Sequence, residues 1–188
     1  MIIDKEKLIF IHIPKNAGTS IENLFGGDNT GFHHDDINAI KEKFPEKYNT
    51  YRKFAVIRNP YDRMVSWYFY YNIPNLIDHF SKFKDHYFDI NLLSFTNWIK
   101  NPTVYDISFT DDPKFLKPQY KWIDETVEII KFENLNEELN NFFGKKINLP
   151  NNNKSKHKHY LEYYNKETLN FIYNKYKKDF KKFNYKKI

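Results

Sequence analysis

The sequence predicts an α/β domain, three layers around a mostly parallel central sheet that opens on a strand, a phosphate-binding loop and a helix. Three observations point to it. Leu8-Ile9-Phe10-Ile11-His12-Ile13 is a short apolar, β-branched run, and it passes through Pro14-Lys15-Asn16-Ala17-Gly18-Thr19-Ser20 into Ile21-Glu22-Asn23-Leu24-Phe25, the first turns of a helix. Phe54-Ala55-Val56-Ile57 repeats the pattern, closing on Arg58-Asn59-Pro60 before a second helix. Thr126 to Phe132 is β-branched without alternation, as expected of a buried parallel strand.

Each element then follows from local chemistry. The first strand is expected over about Lys7 to Ile13, and Gly26-Gly27-Asp28-Asn29-Thr30-Gly31 reads as a loop. Asp35 to Phe44 reads as a short helix that stops before Pro45. A helix from Tyr61 to Tyr71 follows the second strand, and Leu92 to Ile99 is helical until Asn101-Pro102. The turn-rich stretch Val104 to Pro118 reads as substrate-facing loop. Leu135 to Phe143 is the helix after the third strand, with Gly144 as its stop. Asn151-Asn152-Asn153-Lys154-Ser155 is a polar loop. Lys166 to Phe183 forms a final amphipathic helix with Leu169, Ile172, Tyr173, Tyr176 and Phe180 on one face.

Length and composition narrow the function classes. The 188 residues are expected to form one domain spanning the whole chain, 1–188, with room for a substantial core. The absence of cysteine excludes disulfides, thiolate metal sites and cysteine nucleophiles. No long apolar run suggests a membrane span or signal peptide, so a soluble cytoplasmic protein without a membrane partner is the simplest expectation. The net charge of +6 suits attraction of an anionic nucleotide and an acidic glycan, although a solvated lysine-rich helix accounts for much of it. No nucleic-acid-binding module is recognisable, and no nucleic-acid partner is expected.

The chemistry centres on the two strand ends. A tight loop between a strand and a helix points backbone N–H groups at an anion, and here Lys15 adds a full charge while Thr19 and Ser20 add hydroxyl donors. The nucleotide-triphosphate loop GxxxxGK[ST] does not match, because Lys15 precedes Gly18 and the first glycine is missing. Arg58 stands at the carboxyl end of a strand, where open α/β sheets bind ligands. Ser66 follows eight residues later, about two helical turns along.

Together the two segments resemble the paired signatures of sulfotransferases that use 3′-phosphoadenosine 5′-phosphosulfate (PAPS), most closely the carbohydrate sulfotransferase branch. Phe115 to Gln119, Ile130 to Leu135 and Tyr176 to Tyr185 resemble later segments of that family in the same order. The resemblance implies the fold of that family, which is similar to that of the P-loop nucleoside triphosphatases, and PAPS as co-substrate. It implies that Pro14, Lys15, Asn16, Ala17, Gly18, Thr19 and Ser20 hold the 5′-phosphosulfate, and that Arg58 and Ser66 hold the 3′-phosphate. Lys154 and Ser155 fall where relatives place a loop over the nucleotide, and Gln119 resembles a position near donor or acceptor.

Sulfuryl transfer needs cations where charge develops and a base for the acceptor hydroxyl. Lys15 is the candidate cation, and no metal is called for. His33 and His34 lie where related glycan sulfotransferases carry a catalytic histidine before a short helix, and the resemblance to that helix, judged by the spacing to Ile37 and Ile40, implies His34 before His33. Asp35 and Asp36 are the local carboxylate alternatives. His12, beside the loop, reads as a packed strand residue with a minor structural or phosphate-orienting role. His79, His86, His157 and His159 show no ligand pattern. The expected reaction is PAPS-dependent sulfation of a hydroxyl, with a carbohydrate as the partner. A nucleotide-dependent kinase and a non-catalytic nucleotide-binding module are the rival readings.

Overall fold

A computed structural model describes residues 1–26, 34–71, 94–100, 116–149 and 157–188. The chain divides into two compact units, one of Met1–Asn59 with Pro118–Lys154 and one of Pro60–Lys117 with Ser155–Ile188.

The first unit is built on a four-stranded sheet in the order β1-β2-β3-β4. The strands are β1 (Ile2–Ile3), β2 (Leu8–Ile11), β3 (Arg52–Ile57) and β4 (Val127–Lys131). β2 pairs parallel to β3, with Leu8 opposite Arg52 and Ile11 opposite Ala55; β3 pairs parallel to β4, with Ile57 opposite Lys131. The fold is therefore α/β with a mostly parallel sheet, as the sequence predicts. β1 is the exception, an antiparallel edge strand of two residues that is too short to leave a periodic signal.

Strand ends depart from expectation for physical reasons. β2 stops at Ile11 rather than Ile13, because the Ile13 N–H turns back onto the Ile11 carbonyl at 3.0 Å. β3 starts two residues early at Arg52, whose guanidinium grips the Glu128 carboxylate on the neighbouring strand. The first helix, α1 (Gly18–Leu24), follows the loop after β2. The helix expected from Asp35 begins at Ile37 as α2 (Ile37–Lys43), since the Asp36 carboxylate accepts from the N–H groups of Asn38 and Ala39. Pro45 does more than end it: with φ preset for a helix start, it opens α3 (Pro45–Thr50).

The sheet buries Leu8, Phe10, Phe54, Val56 and Ile130 against Ile21 of α1 and Leu139. Phe54 is the centre of this cluster, its ring 5.0 Å from Phe10 and 4.8 Å from Phe142.

In the second unit, α4 (Pro60–Tyr71) contributes Tyr61, Met64, Val65 and Trp67 to a separate aromatic core with Trp98 and Ile99 of α5 (Phe95–Lys100). The latter helix was expected from Leu92; residues 92–93 and nearly all of the stretch Val104 to Pro118 lie outside the described residues. Back in the first unit, α6 (Leu135–Phe143) ends on Gly144 at φ +64°, as its sequence predicts. The final helix of the second unit is two helices, α7 (Lys166–Lys175) and α8 (Lys177–Lys182), not one. They meet at Tyr176, whose buried hydroxyl donates to the Leu116 carbonyl at 2.9 Å, and Ile172 and Phe180 lie in the same core. Among the described residues no helix is long and apolar enough to cross a membrane.

Phe54→Ala should cost about 3–5 kcal/mol through the cavity it leaves under three other phenylalanines. Urea denaturation with an unchanged m-value would measure it, and a loss below 1 kcal/mol would place the core elsewhere.

Candidate functional site

The parallel pairing puts the loop after β2 and Arg58 after β3 on the same edge of the sheet, where the strands' carboxyl ends lie. The loop turns sharply. Lys15 at φ +68° and Ala17 at φ +62° both adopt the left-handed conformation, and each costs a residue with a Cβ of order 1–2 kcal/mol. Asn16 between them is buried at 1% exposure and holds the loop down. Its amide donates to the Val56 carbonyl at 2.7 Å and to Gln119 Oε1 at 2.7 Å.

Gln119 is fully buried and spends its whole side chain on structure. Oε1 accepts from the Arg58 N–H at 3.0 Å, and Nε2 donates to the Arg58 carbonyl at 2.8 Å. The structure thus places Gln119 beneath the loop as a clamp between Asn16 and Arg58.

Arg58 itself is buried, with its guanidinium 4.1 Å from the Phe132 ring centroid and Nη1 donating to the Lys15 carbonyl at 3.0 Å. Two cations are thereby held side by side. Burial, followed by repulsion from Arg58, pulls the Lys15 ammonium down to about 7 from its usual 10.5. Like charges brought together in a shielded place form a site ready for an anion. Thr19 is exposed on the first turn of α1 and Ser20 is buried beside it. The first N–H groups of a helix lack carbonyl partners within it, so this turn supplies donors to the same edge.

His12 and His34 complete the described site. Nδ1 of His34 lies 3.0 Å from the His12 carbonyl, and a carbonyl only accepts, so this nitrogen carries the proton. Nε2 of neutral His34 is then the basic nitrogen. His12 is buried, with Nδ1 2.7 Å from Glu22 Oε1. Gly18 is required here: a Cβ at that position would meet His12 Nε2 at 1.8 Å.

A sulfotransferase family model matches residues 1–121, which include the loop, His34, Arg58 and Gln119. The chain belongs to the sulfotransferase family. No curated protein and no solved structure matches it.

Not every residue expected at a sulfotransferase site can be placed in this assembly. Pro14 to Ser20, His34, Arg58 and Gln119 stand together in the first unit, while Ser66 is buried on α4 in the second. His33, Lys154 and Ser155 lie outside the described residues. Asp35 pairs with Lys43 at 2.8 Å and Asp36 caps α2, so both carboxylates have structural tasks. His157 stacks on Phe69 and His159 caps a short turn, and among the described residues no three potential ligands gather as a metal site. Glu22 is the residue that sequence reasoning passed over. Its one signal is its place four residues after Gly18, on the helix face that carries the loop's glycine.

Gly18→Ala should destabilise the fold by about 1–3 kcal/mol, because the new methyl meets an imidazole already tied to Glu22. Chemical denaturation of this variant beside wild type measures the cost, and equal stability would mean that the ring is free to move aside.

Proposed function

We propose that the protein transfers the sulfuryl group of PAPS to a hydroxyl group, on a carbohydrate acceptor. The observation that carries the reading is the pair of cations at the sheet edge, with Lys15 held beside Arg58 at a cost that an anion would remove. The branch of the family, and with it the carbohydrate acceptor, is supported by the resemblance of the two motifs.

In this reading the loop Pro14 to Ser20 binds the 5′-phosphosulfate and Arg58 the 3′-phosphate; Ser66, which the resemblance also implies for the 3′-phosphate, belongs to the second unit. The resemblance implies a nucleotide-binding role for Lys154 and Ser155, and Gln119, which it implies near donor or acceptor, also positions Arg58 and Asn16. His34 takes the acceptor's hydroxyl proton on Nε2 as the acceptor oxygen bonds to sulfur. Lys15 neutralises the charge that builds on the bridging oxygen as its bond to sulfur breaks. The products are a sulfate ester, adenosine 3′,5′-bisphosphate and a proton held first on His34. His33 is the neighbouring alternative for the base. The cations do the work of charge neutralisation, and no metal enters.

Nucleotide titration tests the donor. Adenosine 3′,5′-bisphosphate should bind at least tenfold more tightly than AMP, since each charge-assisted hydrogen bond to the 3′-phosphate contributes about 1.5–3 kcal/mol. Equal affinities, or tighter binding of ATP, would refute the two-phosphate reading. The pH dependence has a fixed sign. Bound phosphate raises the Lys15 value from about 7, so affinity is full below pH 7 and falls as pH rises above it, by up to tenfold per unit. Calorimetry from pH 7 to 9 should show this fall in wild type and a flat profile in Lys15→Met.

Single-turnover transfer separates the two catalytic roles. His34→Ala should slow the chemical step roughly 10²–10⁴-fold with adenosine bisphosphate affinity nearly unchanged. Lys15→Ala should lose rate at saturating donor as well as affinity. A rate loss confined to His33→Ala would move the base by one residue.

A further inference from the structure

One buried ionisable pair takes no part in the steps above. His12 and Glu22 are both buried, joined at 2.7 Å through Nδ1 and Oε1. The carboxylate accepts and keeps the proton on Nδ1. The imidazole lies against Gly18, where a Cβ would meet its Nε2 at 1.8 Å. His34 meets the same residue twice. Its ring centroid lies 4.3 Å from that of His12 with the planes at 55°, and its Nδ1 donates to the His12 carbonyl at 3.0 Å.

We infer that Glu22 and His12 form a positioning dyad for His34, fixing its tautomer through the His12 carbonyl and raising its proton affinity through the Glu22 charge. The catalytic meaning of the dyad rests on the reading of His34 as the base. The carbonyl holds the proton on Nδ1 and leaves Nε2 basic. Glu22 brings a carboxylate into a buried setting beside His12, where a charge reaches the neighbouring ring with less screening than a surface carboxylate would have. A negative charge favours the imidazolium that forms when the acceptor proton arrives.

The other charged groups on the surrounding elements do not duplicate this effect. Lys15, in the loop after β2, has the opposite sign. On the segment of His34 itself, Asp35 is paired with Lys43 of α2 and Asp36 is engaged at the α2 cap. Glu22 is linked to His34 through His12, which it meets at 2.7 Å and whose ring centroid lies 4.3 Å from that of His34.

The test follows the His34 imidazole directly and needs no acceptor. Carbon–proton NMR of the full chain, with the His34 signal assigned by its loss in His34→Asn, gives the midpoint of its titration. Glu22→Gln keeps an oxygen for the His12 Nδ1–H and removes the charge, so the His34 midpoint should fall by about half a unit to one unit. If that variant does not fold, the double replacement His12→Phe with Glu22→Leu removes the pair without stranding a buried charge, and the midpoint should fall likewise. An unchanged or higher midpoint in a folded variant overturns the inference. Single-turnover transfer by His34→Ala reports separately on the base. A fallen midpoint with an intact His34→Ala rate supports the coupling and removes its catalytic role; an unmoved midpoint with a lost rate keeps the base and refutes the dyad.

Discussion

The buried amide of Gln119 is the contact on which the site's geometry depends. It satisfies both backbone groups of Arg58 and receives Asn16, which in turn holds the Val56 carbonyl. One side chain therefore ties the loop after β2 to the end of β3. Without it, the Arg58 N–H and carbonyl would be buried and lack these partners, at about 1–3 kcal/mol for each group left unsatisfied. A loop with two left-handed residues persists only where the surroundings over-determine it. Asn16, sitting between Lys15 and Ala17 with its amide pinned at two points, supplies that constraint.

The same lock holds Lys15 against Arg58, and the consequence is thermodynamic. With its value near 7 in the fold and 10.5 when unfolded, protonated Lys15 costs stability in full below pH 7. The cost disappears as pH rises toward the unfolded value. An anion at the loop would reverse the effect by restoring favourable surroundings for the ammonium. The fold withstands this because its stability comes from elsewhere, from the phenylalanines around Phe54 and the tryptophans and tyrosines around Trp98. A site that is unfavourable when empty is a means of binding charge tightly, provided that the scaffold cannot relax around it.

Local chemistry made much of this legible in the sequence. Leu135 to Phe143 was readable because its periodicity and its glycine stop lie within a few residues of each other. Lys15 and Arg58 were readable because each stands just after an apolar run, and parallel pairing then brings strand ends to one edge. What depends on distant partners was not readable. The spacing alone does not say that Gln119 finds Arg58 across 61 positions, nor that Glu22 finds His12. β1 is too short for a period, and the break at Tyr176, where the hydroxyl reaches the Leu116 carbonyl, falls at no breaker residue.

The residues of the second motif fall in two different settings. In Arg58-Asn59-Pro60-Tyr61-Asp62-Arg63, the first two residues belong to the first unit, and the rest begin the second. Arg63 carries the same charge as Arg58, yet it is 1% exposed and donates to the Lys117 carbonyl at 3.2 Å within its own unit. Tyr61 is fully buried, its backbone carbonyl accepting from the Tyr164 hydroxyl at 2.8 Å. These residues build a core. Arg58 is buried too and donates to the Lys15 carbonyl, but its guanidinium lies over the Phe132 ring at the sheet edge, beside a second cation. Neighbouring letters of one motif therefore divide between the sheet edge of the first unit and the aromatic core of the second.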